Sequence, residues 1–125
     1  MDENGISYKI RGAIYDIYNE FGPGLLESVY TAALDMELTN QGLIVRREVP
    51  VPVYYKDHKM KLGFRLDLLV NDKVLIEVKS VEKLADVHHK QVLTYLKLTN
   101  LKLGVLVNFN VDRINEGIFR KVHGL

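Results

Sequence analysis

From Ile6 to Phe21 the apolar positions Ile6, Ile10, Ala13, Ile14, Ile17 and Phe21 recur three or four residues apart, the spacing that lines one face of an α-helix. Gly22-Pro23-Gly24 interrupts the pattern. Pro23 suits the first turn of a second helix, because a missing N–H costs nothing there, and the stripe Leu26, Val29, Tyr30, Ala33 and Leu38 carries that helix to a stop at Gly42. The chain therefore opens with a helical hairpin.

Beyond Gly42 the period shortens to two, or the apolar residues run together, and β-branched residues become frequent. Leu43-Ile44-Val45 and Val49 to Tyr55 read as strand. Pro50 and Pro52 remove two ladder donors, which predicts an edge or a bulge. A turn at Lys56-Asp57-His58 leads to a strand from Lys59 to Val70, and a second turn at Asn71-Asp72-Lys73 leads to another from Val74 to Ser80. Asp86 is placed to cap a helix that runs to Leu98. Leu103 to Phe109 reads as a buried strand, and Gly117 to Val122 as a short closing strand or helix. The order α-α-β-β-β-α-β predicts an α/β (α+β) domain with a mixed central β-sheet flanked by helices. With no repeat, low-complexity tract or linker, residues 1–125 form a single domain.

Composition narrows the chemistry. At 125 residues the chain can bury one core but not a catalytic and a recognition domain side by side. Seventeen basic residues against 16 acidic ones leave a net charge of +1, so only a local patch could attract nucleic acid. There is no cysteine, which removes disulfides, thiolate metal sites and thiol nucleophiles together and suits a reducing cytoplasm. No apolar run approaches the ~20 residues that span a bilayer, and no signal peptide is visible. The expectation is a soluble cytoplasmic protein without a membrane partner.

The turn at residues 71–73 sets a register test. Leu66, Leu68 and Val70 alternate on one strand and Val74, Ile76 and Val78 on the next. Placing both sets on one face pairs Val70 with Val74, Leu68 with Ile76 and Leu66 with Val78. Asp67 then lies across from Glu77, and Arg65 across from Lys79. Two carboxylates so placed repel, whereas a Mg²⁺ ion between them reverses the sign of the interaction. Lys79, one strand step from Glu77, can carry positive charge to a phosphate. An ordinary half-solvated strand also alternates charged and apolar residues, so the Glu-x-Lys spacing acquires weight only through Asp67.

Asp67 followed ten residues later by Glu77-Val78-Lys79, on a β-hairpin preceded by helix and followed by helix and strand, resembles the core of the PD-(D/E)XK nucleases, with Leu66 where the name has proline. Gly24-Leu25-Leu26-Glu27-Ser28-Val29-Tyr30 resembles the motif of the GxxExxY family of that superfamily, and the segments 64–70 and 103–109 are similar to it too. The resemblance covers nearly the whole chain and implies a restriction-endonuclease-like core. It implies a metal cluster of Asp67, Glu77 and Glu27, with the Val78 carbonyl as a further ligand. Gln91 and Tyr95 match the Gln-x-x-x-Tyr motif of RecB-like nucleases. It further implies Mg²⁺ as cofactor with Mn²⁺ as substitute, nucleic acid as partner with DNA ahead of RNA, and, by analogy with small nucleases, a homodimer.

Other readings of these residues stay open at this level. Glu27 without the family is a solvated helix residue, and Tyr30, one turn on, is either at the site or in the core. His88 shares a helical face with Gln91 and Tyr95, as a phosphate contact or a boundary histidine. Arg65 contacts phosphate or forms a salt bridge to Glu77. Lys56, Lys59 and Lys61 with Arg46 and Arg47 form a basic rim or a merely solvated hairpin. No GxSxG elbow, phosphate-binding Gly-rich loop or cysteine cluster offers another chemistry. The leading expectation is a Mg²⁺-dependent nuclease with Glu27, Asp67, Glu77, Lys79 and Gln91 in the catalytic set. Arg65, His88, Tyr95 and Tyr30 would touch substrate. The alternative is a non-cleaving nucleic-acid-binding or assembly protein on the same scaffold.

Overall fold

The computed structural model describes residues 1–125. Helices α1 (Glu3–Phe21) and α2 (Glu27–Asn40) are followed by β1 (Val45–Val51), a small hairpin of β2 (Tyr54–Tyr55) and β3 (His58–Lys59), then β4 (Phe64–Val70) and β5 (Val74–Lys79). Helix α3 (Asp86–Thr99) crosses to β6 (Leu103–Asn108), and a 3-10 turn at Ile114–Glu116 leads into β7 (Ile118–Val122). The main sheet has the order β1-β4-β5-β6-β7. Only β5 and β6 run parallel, which is why a helix must connect them.

The molecule has three layers. Ile6, Ile10, Ala13, Ile14 and Ile17 of α1 and Tyr30, Leu34 and Leu38 of α2 pack on one face of the sheet, against Leu68, Val70, Val74, Ile76 and Val78. Val92 and Leu96 of α3 cover the other face with Leu66, Leu69, Leu75 and Leu106. β5 and β6, covered on both sides, are buried almost throughout, as their continuous apolar sequence requires.

Several boundaries differ from the sequence reading. Phe21 is exposed at the end of α1, because the chain turns away at Gly22 with φ +68°. Pro23 lies outside α2, which starts at Glu27; Gly24 at φ +101° and an extended Leu26 delay the helix. Leu26 and Val29 consequently face solvent, and Leu34 takes the place they were expected to fill in the buried stripe. Residues 43 and 44 precede β1, and β1 ends at Val51 rather than running to Tyr55. The long strand expected from Lys59 to Val70 is two strands. Gly63 passes so close to the Val51 carbonyl oxygen that a Cβ there would sit 2.3 Å from it, so the chain bends where a side chain cannot fit. The edge position read from Pro50 and Pro52 is observed, since β1 is the outer strand.

One departure shapes the site. β1 and β4 keep a constant register, Val45↔Val70, Arg46↔Leu69 and Arg47↔Leu68, then Val49↔Leu66 and Val51↔Phe64, but Glu48 and Asp67 are left unpaired between them. Glu48 adopts a left-handed φ of +50°. Across this point the alternation changes phase: Leu68 packs under α1 and α2, whereas Leu66 packs on the α3 side with Phe64 beside it. Leu66 therefore does not share a face with Leu68 and Val70. One residue turned out of the pleat on each strand preserves pairing while exchanging the faces.

Candidate active site

The hairpin of β4 and β5 pairs as the 71–73 turn predicts, Val70↔Val74 and Leu68↔Ile76, with Asn71 and Asp72 both left-handed in the turn. The ladder then stops. Beyond it the two carboxylates replace the missing backbone bonds: the Asp67 N–H donates to Glu77 Oε2 at 2.9 Å, and the Val78 N–H donates to Asp67 Oδ2 at 2.8 Å. The strands are thus held apart by the width of their own acidic side chains. Asp67 Oδ1 and Glu77 Oε1 are left without an N–H donor. Arg65 and Lys79, expected to face one another, lie past the end of the ladder and are not paired.

Electrostatics follow from this burial. Glu77 is only 5% exposed. Desolvation, with the negative charge of Asp67 added, pushes its carboxyl up to about 8. Asp67 is raised too, chiefly by burial, against the lowering effect of the Val78 N–H. At neutral pH the pair therefore holds a proton where a cation could sit. Lys79 is half-buried and its charge favours ionisation of both carboxylates. Its carbonyl accepts from the Phe109 N–H at 3.0 Å on the β6 side. Backbone groups alternate in direction along a strand, so the Val78 N–H and carbonyl both point toward β4, into the gap the carboxylates occupy.

Helix α2 brings Glu27 to the same place. Glu27 Oε2 accepts from the Ser80 N–H at 3.1 Å, while the Ser80 hydroxyl donates to the Leu25 carbonyl at 2.6 Å. Glu27, Glu48 and Asp67 line one cavity of about 270 Å³ together with Arg47, Ser28 and Thr31. Glu27 contributes a charge that raises Asp67. The three carboxylates Glu27, Asp67 and Glu77 are not gathered into a preformed metal-holding group. Glu27 is instead bonded to the Ser80 N–H at the exit of β5.

Tyr30 is fully buried and stacked on Phe109 with ring centroids 4.1 Å apart. Its hydroxyl donates to the Gly22 carbonyl at 2.6 Å and accepts from the Leu25 N–H at 3.2 Å. It clamps the loop before Glu27, and substrate contact, one of its expected roles, is closed to it. Tyr95 stacks on Phe64 at 4.1 Å, and its hydroxyl is held above the usual phenol range by burial and then by the charges of Glu77 and Asp67. Gln91 lies one turn earlier on α3. His88 Nδ1 accepts from the Ala85 N–H at 3.0 Å and so caps α3; Ala85, not Asp86, is the capping position, and Asp86 is the first helical residue. His89 meets Phe119 edge-on instead. Arg65 is exposed and forms no salt bridge with Glu77.

Two contributors carried no expectation. The sequence pattern marks Ser80 only as the end of a strand. Asn108 is 3% exposed at the end of β6; its Oδ1 accepts from the Val81 N–H at 3.0 Å and its Nδ2 donates to the Val81 carbonyl at 2.9 Å. Together they fix the backbone leaving Lys79. The available signal was an asparagine inside Leu103-Gly104-Val105-Leu106-Val107-Asn108-Phe109, since a buried amide must find partners.

A five-stranded mixed sheet with this helix placement, opening at an acidic pair, is a restriction-endonuclease-like fold. The chain belongs to the PD-(D/E)XK nuclease superfamily, whose model matches residues 4–121. Nucleases of that superfamily typically use divalent metal ions. A solved structure described as "Crystal structure of SSO0001" is similar, with 25% identity and a TM-score of 0.56 over 78% of this chain and 50% of that one. This chain thus spans half the length of that protein. No curated protein matches in sequence. No helix is long and apolar enough to cross a membrane.

Proposed function

We propose that this chain is a Mg²⁺-dependent nuclease that hydrolyses phosphodiester bonds of DNA, in the GxxExxY family of its superfamily. The observation that carries the reading is the reciprocal bonding of Asp67 and Glu77 where β4 and β5 part. Two buried carboxylates that cannot both ionise without a counter-charge, each with an oxygen lacking an N–H donor, are the donor set a hard dication takes. Asp67 and Glu77 would hold Mg²⁺ or Mn²⁺, with the Val78 carbonyl on the same side and Glu27 reaching it directly or through water. Bound there, the ion supplies Lewis acidity and activates water.

The other residues have roles set by position. Lys79 carries positive charge to the phosphate that gains negative charge in the transition state. Gln91 orients water or phosphate from α3, and the Tyr95 hydroxyl donates to phosphate from beside Phe64. Arg65 meets the backbone of the bound strand, and His88 has only Nε2 left for such a contact. A homodimer would enlarge the grip on substrate, and a cytoplasmic setting suits a chain without cysteine.

The test is a cleavage screen on single-stranded, double-stranded and branched DNA and RNA with Mg²⁺ and Mn²⁺. Lys79→Ala is expected to lose at least ~10²-fold in rate while its melting temperature stays within a few degrees of the parent's. A variant that cuts as fast as the parent would remove Lys79 from the mechanism. Retention of oligonucleotide with no cleavage under any metal would replace the nuclease reading by that of a binding module.

A further inference from the structure

The basic rim read from the sequence divides in two. Arg46 is paired with Asp72 and Arg47 with Asp35, so both are engaged on the sheet. Between residues 52 and 65 the charged residues are Lys56, Lys59, Lys61 and Arg65 against Asp57 alone, and none of them forms a salt bridge. In a chain with 17 basic and 16 acidic residues, this excess is local to the stretch between β1 and the start of β4.

Lys56 and Lys59 sit on the β2–β3 hairpin, separate from the main sheet, Lys61 follows it directly, and Arg65 is the second residue of β4. Tyr54 pairs with Lys59 and Tyr55 with His58, around a tight turn in which Lys56 and Asp57 are both left-handed. Neighbouring residues on a strand point to opposite faces, so each side of the ribbon presents one tyrosine. Tyr54 is 60% exposed and Tyr55 63%. The Lys56 ammonium lies 5.5 Å from the Tyr55 ring centroid. Both rings stay more than half exposed on a two-stranded ribbon, and they sit among cations that form no salt bridge.

We infer that this hairpin is a grip for single-stranded nucleic acid, with Tyr54 and Tyr55 stacking on unpaired bases and Lys56, Lys59 and Lys61 meeting the phosphates. Exposed aromatic rings interleaved with cations are the recognition chemistry of unpaired strands. A duplex keeps its base faces covered by stacking, so the rings gain little from it. The hairpin leads into β4, and Lys59 is eight residues from Asp67, no more than about 26 Å along an extended chain. The hairpin therefore lies within about 26 Å of Asp67, a separation that a bound strand of several nucleotides can span. The inference rests on the nucleic-acid reading above, but its test does not require cleavage.

The experiment measures fluorescence anisotropy of a labelled 20-nucleotide single strand, and of its duplex, with the full chain in EDTA. The parent is expected to bind the single strand more tightly. Tyr54→Ala with Tyr55→Ala should weaken that binding by at least about tenfold, leaving duplex affinity and melting temperature unchanged. Lys56→Gln, Lys59→Gln and Lys61→Gln together should flatten the slope of log affinity against log salt by about 2. The inference is overturned if the tyrosine variant binds the single strand like the parent, or if both variants alter only sedimentation, which would mark a self-association surface. A parent that cuts DNA while ignoring the tyrosine change sinks the grip and spares the nuclease. A parent that grips through the tyrosines but never cuts does the reverse. No binding and no cleavage sinks both.

Discussion

Replacing Glu77 by glutamine should make this protein more stable in alkaline solution while disabling its site. Glu77 titrates near 4.5 when unfolded and at about 8 in the folded chain, because burial and the Asp67 charge oppose its ionisation. The folded pKa is raised, so the stabilisation is fully present below pH 4.5 and is lost as pH rises through about 8. Between those values the folded chain holds a proton the unfolded chain has released, and stability falls by about 1.4 kcal/mol per pH unit, on the order of 5 kcal/mol in all. Asp67, also raised, acts in the same direction. Glutamine keeps the shape and offers a carbonyl oxygen to the Asp67 N–H that Glu77 Oε2 now accepts at 2.9 Å. It has no proton to lose. Urea unfolding at pH 5, 7 and 9 in EDTA should therefore find Glu77→Gln within ~1 kcal/mol of the parent at pH 5 and several kcal/mol more stable at pH 9. Mg²⁺ should narrow the gap at pH 9 by stabilising the parent alone, through mass action on the folded form. Parallel pH profiles for the two proteins would mean that Glu77 does not hold a proton in the folded chain.

Two more outcomes follow from the surrounding scaffold. Tyr30→Phe keeps the stack on Phe109 but strips the Gly22 carbonyl and the Leu25 N–H of their shared partner, and should cost about 1–3 kcal/mol in urea unfolding. An unchanged midpoint would show that the Gly22 to Leu26 loop is not held by this hydroxyl. Glu48→Gly should raise stability by about 1 kcal/mol, because glycine adopts the left-handed φ of +50° without the Cβ clash. A calorimetric melting temperature below the parent's would mean that the Glu48 side chain contributes more than its backbone costs.

The helical hairpin, the buried strands, the edge status of the proline-bearing strand and the register of the 71–73 turn were all legible in the amino-acid sequence. Those features depend on periodicity, on missing N–H groups and on turn length, all local quantities. The sequence also singled out Asp67 and Glu77, since an odd-length connection brings them opposite each other. How they meet depends on the folded chain: the ladder opens after Leu68↔Ile76 and the carboxylates bond the opposite backbones. Periodicity could not foresee this, because the phase change comes from Glu48 turning out of the pleat on a neighbouring strand, and a strict alternation put Leu66 on the wrong face. Tyr30, Ser80 and Asn108 show the same limit. Their partners lie across loops and elements at sequence distances of 5 to 55 residues, and such bonds exist only once the core has chosen which ends come together. Arg46 and Arg47 are the converse case, where charge clustered in sequence is divided in space because Asp72 and Asp35 reach them first.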